Sequence, residues 1–186
     1  MNGFTFQHAA PETQGVPSGA VSEWVRLISE LDTVHSFMLM RHDKIIAQAW
    51  WSPCRPEYKH ELFSLSKSFT SAAIGIAQAE GCLRIDDRLA GFFPEKISAA
   101  VSERMKRVTL RHLLTMSSGH ETCPMSELRP RRDWVKGFLE SSLAFEPGTR
   151  FVYNSAATYM LASVIRRTTG QNVLDYLQER LLHPLG

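Results

Sequence analysis

Cysteine is scarce in this chain, and its three positions, Cys54, Cys82 and Cys123, are odd in number and far apart. That excludes a disulfide framework, and no Cys-x-x-Cys pair is written that would hold a structural metal. A surplus of one charge is missing too. Lys and Arg total 21 against 19 Asp and Glu, a formal net charge of +2, so there is no basic footprint for a nucleic-acid partner. Long apolar runs are also absent: Lys, Arg, His or Gly interrupts every stretch before the roughly 20 residues that a bilayer-crossing helix needs. No membrane span is expected. The opening residues, MNGFTFQHAAPETQGVPSG, carry neither the basic nor the apolar segment of a secretory signal, and a cytoplasmic location is the expectation. What remains is a globular composition with 44% hydrophobic and 22% charged residues over 186 positions, enough to bury a core in one domain.

The hydrophobic pattern divides the chain. Val21, Trp24, Val25, Ile28 and Leu31 recur at helical spacing, with Ser18 as the expected N-cap. VHSFMLMR and IIAQAWW flank a short polar tip at His42-Asp43-Lys44, which predicts an antiparallel hairpin. From Ser64 the pattern turns helical, with Leu65, Phe69, Ala72, Ala73 and Ile76 apolar and Gly81 as the stop. Beyond it, helices are expected after Thr109, over Arg132 to Leu143, over Ser155 to Thr169 with Gly170 as the stop, and over Val173 to Leu182. A lone hairpin is marginal in water, and Met38, Ile45, Ala47 and Trp50 look like residues of a larger sheet. The 186 residues therefore read as the N-terminal part of a larger α/β protein. The alternative is a mostly helical domain with one hairpin packed on it.

The sharpest chemical signal is Ser64-Leu65-Ser66-Lys67. A helix places residues three apart on one face, so an amine stands one turn above a hydroxyl. A serine is a weak nucleophile until a base takes its proton, and a desolvated lysine can do so. The helix N-terminus favours negative charge developing at Ser64, and Leu62, Phe63, Phe69, Ala72 and Ala73 are expected to keep the setting dry. With 18 Ser and 6 Lys, chance alone yields about 0.6 such pairs per chain, so the bare motif is weak.

Three segments strengthen it. LFSLSKSFTSAAIGIAQAEGCLRIDDRLAGFFPE, VTLRHLLTMSSGH and FEPGTRFVYNSAATYMLASVIRRTTG together resemble the serine β-lactamase and penicillin-binding protein superfamily, in particular the branch of class C β-lactamases, DD-peptidases and related esterases. The resemblance runs from about Gly15 to Gly186. It implies an α/β (α+β) fold of β-lactamase type, a helical cluster plus an N-terminal β-hairpin of an incomplete antiparallel sheet, in a single domain over 1–186 truncated at its C-terminus. It implies that Ser64 is the acylated nucleophile, that Lys67 is its partner, and that Tyr153 relays protons as the tyrosine of a Tyr-x-Asn motif. The third position of that motif is Ser155, with Asn154 displaced by one; both are the expected substrate-binding residues. The family's Lys-Thr-Gly or His-x-Gly strand, which normally completes the oxyanion hole, has no match here. Losing one such donor typically costs about 10²–10³ in turnover.

Other readings are weaker. No Gly-x-Ser-x-Gly elbow is present. His112, His120 and Cys123 fit no zinc spacing, Arg129, Arg131 and Arg132 read as a solvated loop, and Asp86-Asp87 read as turn residues. The expected function is a serine hydrolase that forms an acyl-enzyme with a small-molecule ester, amide or β-lactam. No metal or cofactor is implied. The alternative is a non-catalytic or weakly acylated penicillin-recognising or ligand-binding module, inactive because the C-terminal strand motif is missing.

Overall fold

The computed structural model describes residues 5–186, which fall into two compact units, residues 5–61 with 186, and residues 62–185. The first unit is built on a three-stranded sheet of order β1-β3-β2. Strands β2 (Ser36–Arg41) and β3 (Lys44–Trp50) form the expected antiparallel hairpin, with Ser36 opposite Trp50 and Arg41 opposite Lys44. His42 and Asp43 turn the chain with φ of 49° and 58°, the doubly left-handed geometry that matches hairpin twist. Strand β1 (Gln7–His8) adds to β3 in parallel, a pairing too short for any sequence pattern to announce. Helix α1 (Ser18–Ser29) begins at Ser18, so Ser18 is not its N-cap. Pro17 occupies that position, and the Glu12 carboxylate accepts from both the Ser18 amide and the Ser18 hydroxyl. Trp24 of α1 meets Phe37 edge-on at 4.7 Å, Phe37 lies 5.9 Å from Trp51, and the Trp51 indole donates to Ser29 Oγ at 3.1 Å. Met38 and Met40 point outward and stay exposed.

The second unit is helical. Its elements are α2 (Ser66–Ala79), α3 (Leu110–Leu114), α4 (Met125–Leu128), α5 (Trp134–Leu139), α6 (Ser155–Thr169) and α7 (Val173–Leu177), and a π turn over Gln178–Leu182 follows α7. Ala73, Ile74 and Ala77 of α2 pack with Ala156, Ala157, Met160 and Val164 of α6, all fully buried in one apolar cluster. Small residues on the facing stripes let the two helices approach closely. The ends are chemically marked. Thr109 and His112 form a capping box on α3, Asp133 caps α5, Asn154 caps α6 and Asn172 caps α7. Helix α6 stops at Gly170, whose φ of 75° a glycine adopts without penalty. Among the described residues no helix is long and apolar enough to cross a membrane.

Candidate active site

Ser64 lies in a 3₁₀ turn (Phe63–Leu65) that feeds directly into α2. The turn is bent sharply: Phe63 has φ of 44°, a left-handed conformation that costs a β-carbon-bearing residue about 1–2 kcal/mol. Ser66 Oγ holds it by donating to the Phe63 carbonyl at 2.6 Å. One turn on, Lys67 Nζ donates to Ser64 Oγ at 3.0 Å. The base of this arrangement is rigid, because Thr70, Ala73, Ile74 and Ala77 bury the opposite face of α2.

Tyr153 reaches the same point from 89 residues away, its phenol oxygen 2.5 Å from Ser64 Oγ. The segment that delivers it is pinned by backbone bonds to residues 116–119: Val152 N to Met116 O at 2.8 Å, Gly148 N to Ser117 O at 2.7 Å and Phe145 N to Gly119 O at 2.9 Å. Glycine is needed at 119, where φ is 98° and an added Cβ would stand 2.5 Å from the Phe145 carbonyl oxygen. The Lys67 amine lies 5.2 Å from the centre of the Tyr153 ring. Hydrogen bonding from Ser64, and then from Lys67, favours the phenolate and lowers the Tyr153 pKa below the ordinary tyrosine value. Ser155, first residue of α6, adds the smallest contribution to that lowering.

Two expectations change here. Asn154 is fully buried and does not face the cleft with Tyr153. Its Oδ1 accepts the Ala157 amide at 3.1 Å and the Cys123 thiol at 3.5 Å, and its Nδ2 donates toward Ser118 Oγ and His120 Nδ1, each at 3.4 Å. Asn154 is thus the cap and anchor of α6, and the substrate contact expected of it has no surface to act through. The dry setting expected around Ser64 is formed only in part: Ala73 is buried and Phe69 and Ala72 are half-buried. Leu62, Phe63 and Leu65 are 48%, 74% and 58% exposed, because they precede the helix and lie off the face that packs into the core.

A buried network joined to Asn154 was not expected from the sequence. Ser141 Oγ donates to the Phe138 carbonyl at 2.6 Å, so it accepts from His120 Nε2 at 2.7 Å. His120 Nδ1 is then an acceptor, 2.9 Å from Ser118 Oγ. Burial of this neutral ring lowers its pKa to about 4. The run Ser117-Ser118-Gly119-His120 was its only written signal. His112 belongs to the α3 capping box, and His112, His120 and Cys123 do not converge as metal ligands among the described residues. Asp86 pairs with Arg111 through two hydrogen bonds of 2.7 and 3.0 Å, and Asp87 accepts the Arg84 amide, in keeping with turn residues.

The model of the beta-lactamase family matches residues 14–186. The chain belongs to the beta-lactamase family. Penicillin-binding protein 4* of Bacillus subtilis is 25% identical over 144 residues, covering 72% of this chain and 30% of that protein. A beta-lactamase of Escherichia coli is 25% identical over 134 residues, covering 72% and 34%. The octameric penicillin-binding protein homologue from Pyrococcus abyssi superposes with a TM-score of 0.71 at 22% identity, covering 92% of this chain and 43% of that one. The beta-lactamase-like fold is therefore established, and the family is one of serine hydrolases. The chain spans about a third of the length of the two curated relatives.

Proposed function

We propose that Ser64 is an acyl-accepting nucleophile and Tyr153 its base, with Lys67 holding positive charge beside both. The observation that carries this reading is the convergence of Lys67 Nζ, Ser64 Oγ and the Tyr153 phenol within 3.0 Å of their neighbours. Since the lysine donates to Ser64 Oγ, the serine proton is free to point at the phenol oxygen. In acylation, Ser64 Oγ bonds to the carbonyl carbon of an ester, amide or β-lactam and its proton passes to Tyr153. The carbonyl–heteroatom bond then breaks, and the leaving alcohol or amine takes that proton from the phenol. Water reverses the sequence and frees Ser64. The Ser64 backbone N–H at the helix start supplies one donor to the oxyanion. The exposure of Leu62, Phe63 and Leu65 beside Ser64 leaves the hydroxyl accessible to bulky, activated reagents.

The test is covalent labelling with a fluorescent penicillin and an activated serine-directed phosphonate, followed by intact mass. One adduct per chain that disappears in Ser64→Ala is the expected result. Labelling that survives Ser64→Ala, or none with either reagent, overturns the reading. A penicillin adduct that persists for hours supports the recognising-module variant of the same chemistry.

A further inference from the structure

Three side chains that take no part in the serine chemistry converge in the first unit. His35 immediately precedes β2, Cys54 closes a turn after β3, and His60 lies on the loop that follows. The hairpin brings the first two together, since Trp51 N donates to His35 O at 3.0 Å and Cys54 N to Trp51 O at 2.8 Å. The ligand atoms of all three residues lie within 4.8 Å of one another, the one group of this kind among the described residues. Cys54 and His60 line a cavity of about 230 Å³ with Ser36, Trp50, Tyr58 and Lys59.

The hydrogen bonds reveal how the group is set. His60 Nδ1 lies 3.1 Å from the Glu61 carbonyl, which can only accept, so His60 carries its proton there. Its Nε2 lone pair therefore faces inward, and His35 Nδ1 donates to it at 2.7 Å. A ring nitrogen held by a backbone carbonyl, with the other nitrogen free, is how a metal-binding histidine is usually oriented. The position a cation would take is held by a single proton. We propose that His35, Cys54 and His60 form a binding site for a borderline-soft divalent cation of the zinc class. No carboxylate belongs to the group, so the donor set of two imidazoles and one thiolate disfavours calcium and magnesium. Tetrahedral zinc spaces such ligands about 3.3–3.6 Å apart, which asks the two rings to separate by about half an ångström and the thiol to close in. On binding, the His35 proton moves to its Nε2, the Cys54 thiol gives its proton to solvent, and a fourth position stays open to water. With three protein ligands and one open position, the site resembles reactive metal centres more than closed structural ones.

The probes are Zn²⁺ by calorimetry and Co²⁺ by absorption, on the untagged 186-residue chain. One equivalent should bind, and Co²⁺ should show a sulfur-to-cobalt charge-transfer band. Cys54→Ser should abolish the band and weaken Zn²⁺ by more than the 10–100-fold that losing an outer-shell partner costs. His60→Ala should weaken it comparably, and Ser64→Ala should change neither. A band retained in Cys54→Ser, which keeps Cys82 and Cys123, or a Zn²⁺ affinity indifferent to both substitutions, overturns the proposal. A measurement on the unsubstituted chain guards against misfolded variants: stoichiometric Zn²⁺ should slow alkylation of Cys54 at least tenfold while leaving Cys82 unaffected, and equal rates with and without the metal would refute the site.

Discussion

Replacing Asn154 separates an anchoring role from a substrate-contacting one. Asn154→Ala removes the α6 N-cap, which typically costs about 1 kcal/mol. It also removes the two long contacts from Nδ2 to Ser118 and His120, together about 1 kcal/mol given their 3.4 Å lengths, and leaves a small void at a fully buried position. The sum is about 2–3 kcal/mol. For a helical unit of this size that lowers Tm by roughly 8–15 °C. Asn154→Ser keeps a good cap and should recover about half of the loss. The assay is thermal unfolding followed by circular dichroism, with phosphonate labelling of Ser64 measured at low temperature on the same variants. Labelling should persist, slowed only modestly, because Tyr153 is held as well by the Val152–Met116 backbone bond. An unchanged Tm with labelling lost would refute the anchoring argument and return Asn154 to the substrate.

Acid should weaken the helical unit through His120. Its folded pKa of about 4 lies below the ordinary 6.5, so the unfolded chain binds the extra proton first. Stability is therefore full above about pH 7 and declines as pH falls toward 4, by roughly 3 kcal/mol; His120→Gln should flatten that decline in urea titrations across this range, and an unchanged slope would contradict the neutral-ring assignment. In Lys67→Met the phenol loses one of the groups that favour its ionised form. The pH at which Ser64 acylation reaches half its maximum should then rise toward the ordinary tyrosine range, and a profile that does not move would exclude Lys67 as a charge partner of Tyr153.

Much of this was legible in the residues. Helix α6 occupies Ser155–Thr169 as expected, because a capping asparagine and a left-handed glycine bracket an apolar stripe. The hairpin was equally plain, since two apolar runs leave only His42-Asp43 to turn. The Ser64–Lys67 contact was expected from helical spacing, although Ser64 itself stands in a 3₁₀ turn ahead of α2. Other features depend on packing that periodicity does not encode. Two-residue β1 has no pattern of its own, and Glu12 reaches Ser18 across a turn. The π turn at Gln178–Leu182 interrupts a stripe that reads as one continuous helix. Asn154 shows the limit most clearly. Its residue type suits a cap and a substrate contact equally, and only the neighbours Ala157, Ser118 and His120 decide between them.

The central claim is that Ser64 gives its proton to Tyr153. The most direct measurement is the rate of Ser64 acylation by the phosphonate as a function of pH in the unsubstituted chain and in Tyr153→Phe. Tyr153 is 49% exposed, so the substitution should leave Tm nearly unchanged. The rate in the unsubstituted chain should rise with pH to a plateau reached below the ordinary tyrosine pKa, as the phenol becomes phenolate. In Tyr153→Phe it should fall by about 10²–10⁴, the usual worth of a positioned base, and lose that limb. A Tyr153→Phe chain that acylates within a few-fold of the unsubstituted rate, with its pH profile intact, would contradict the account.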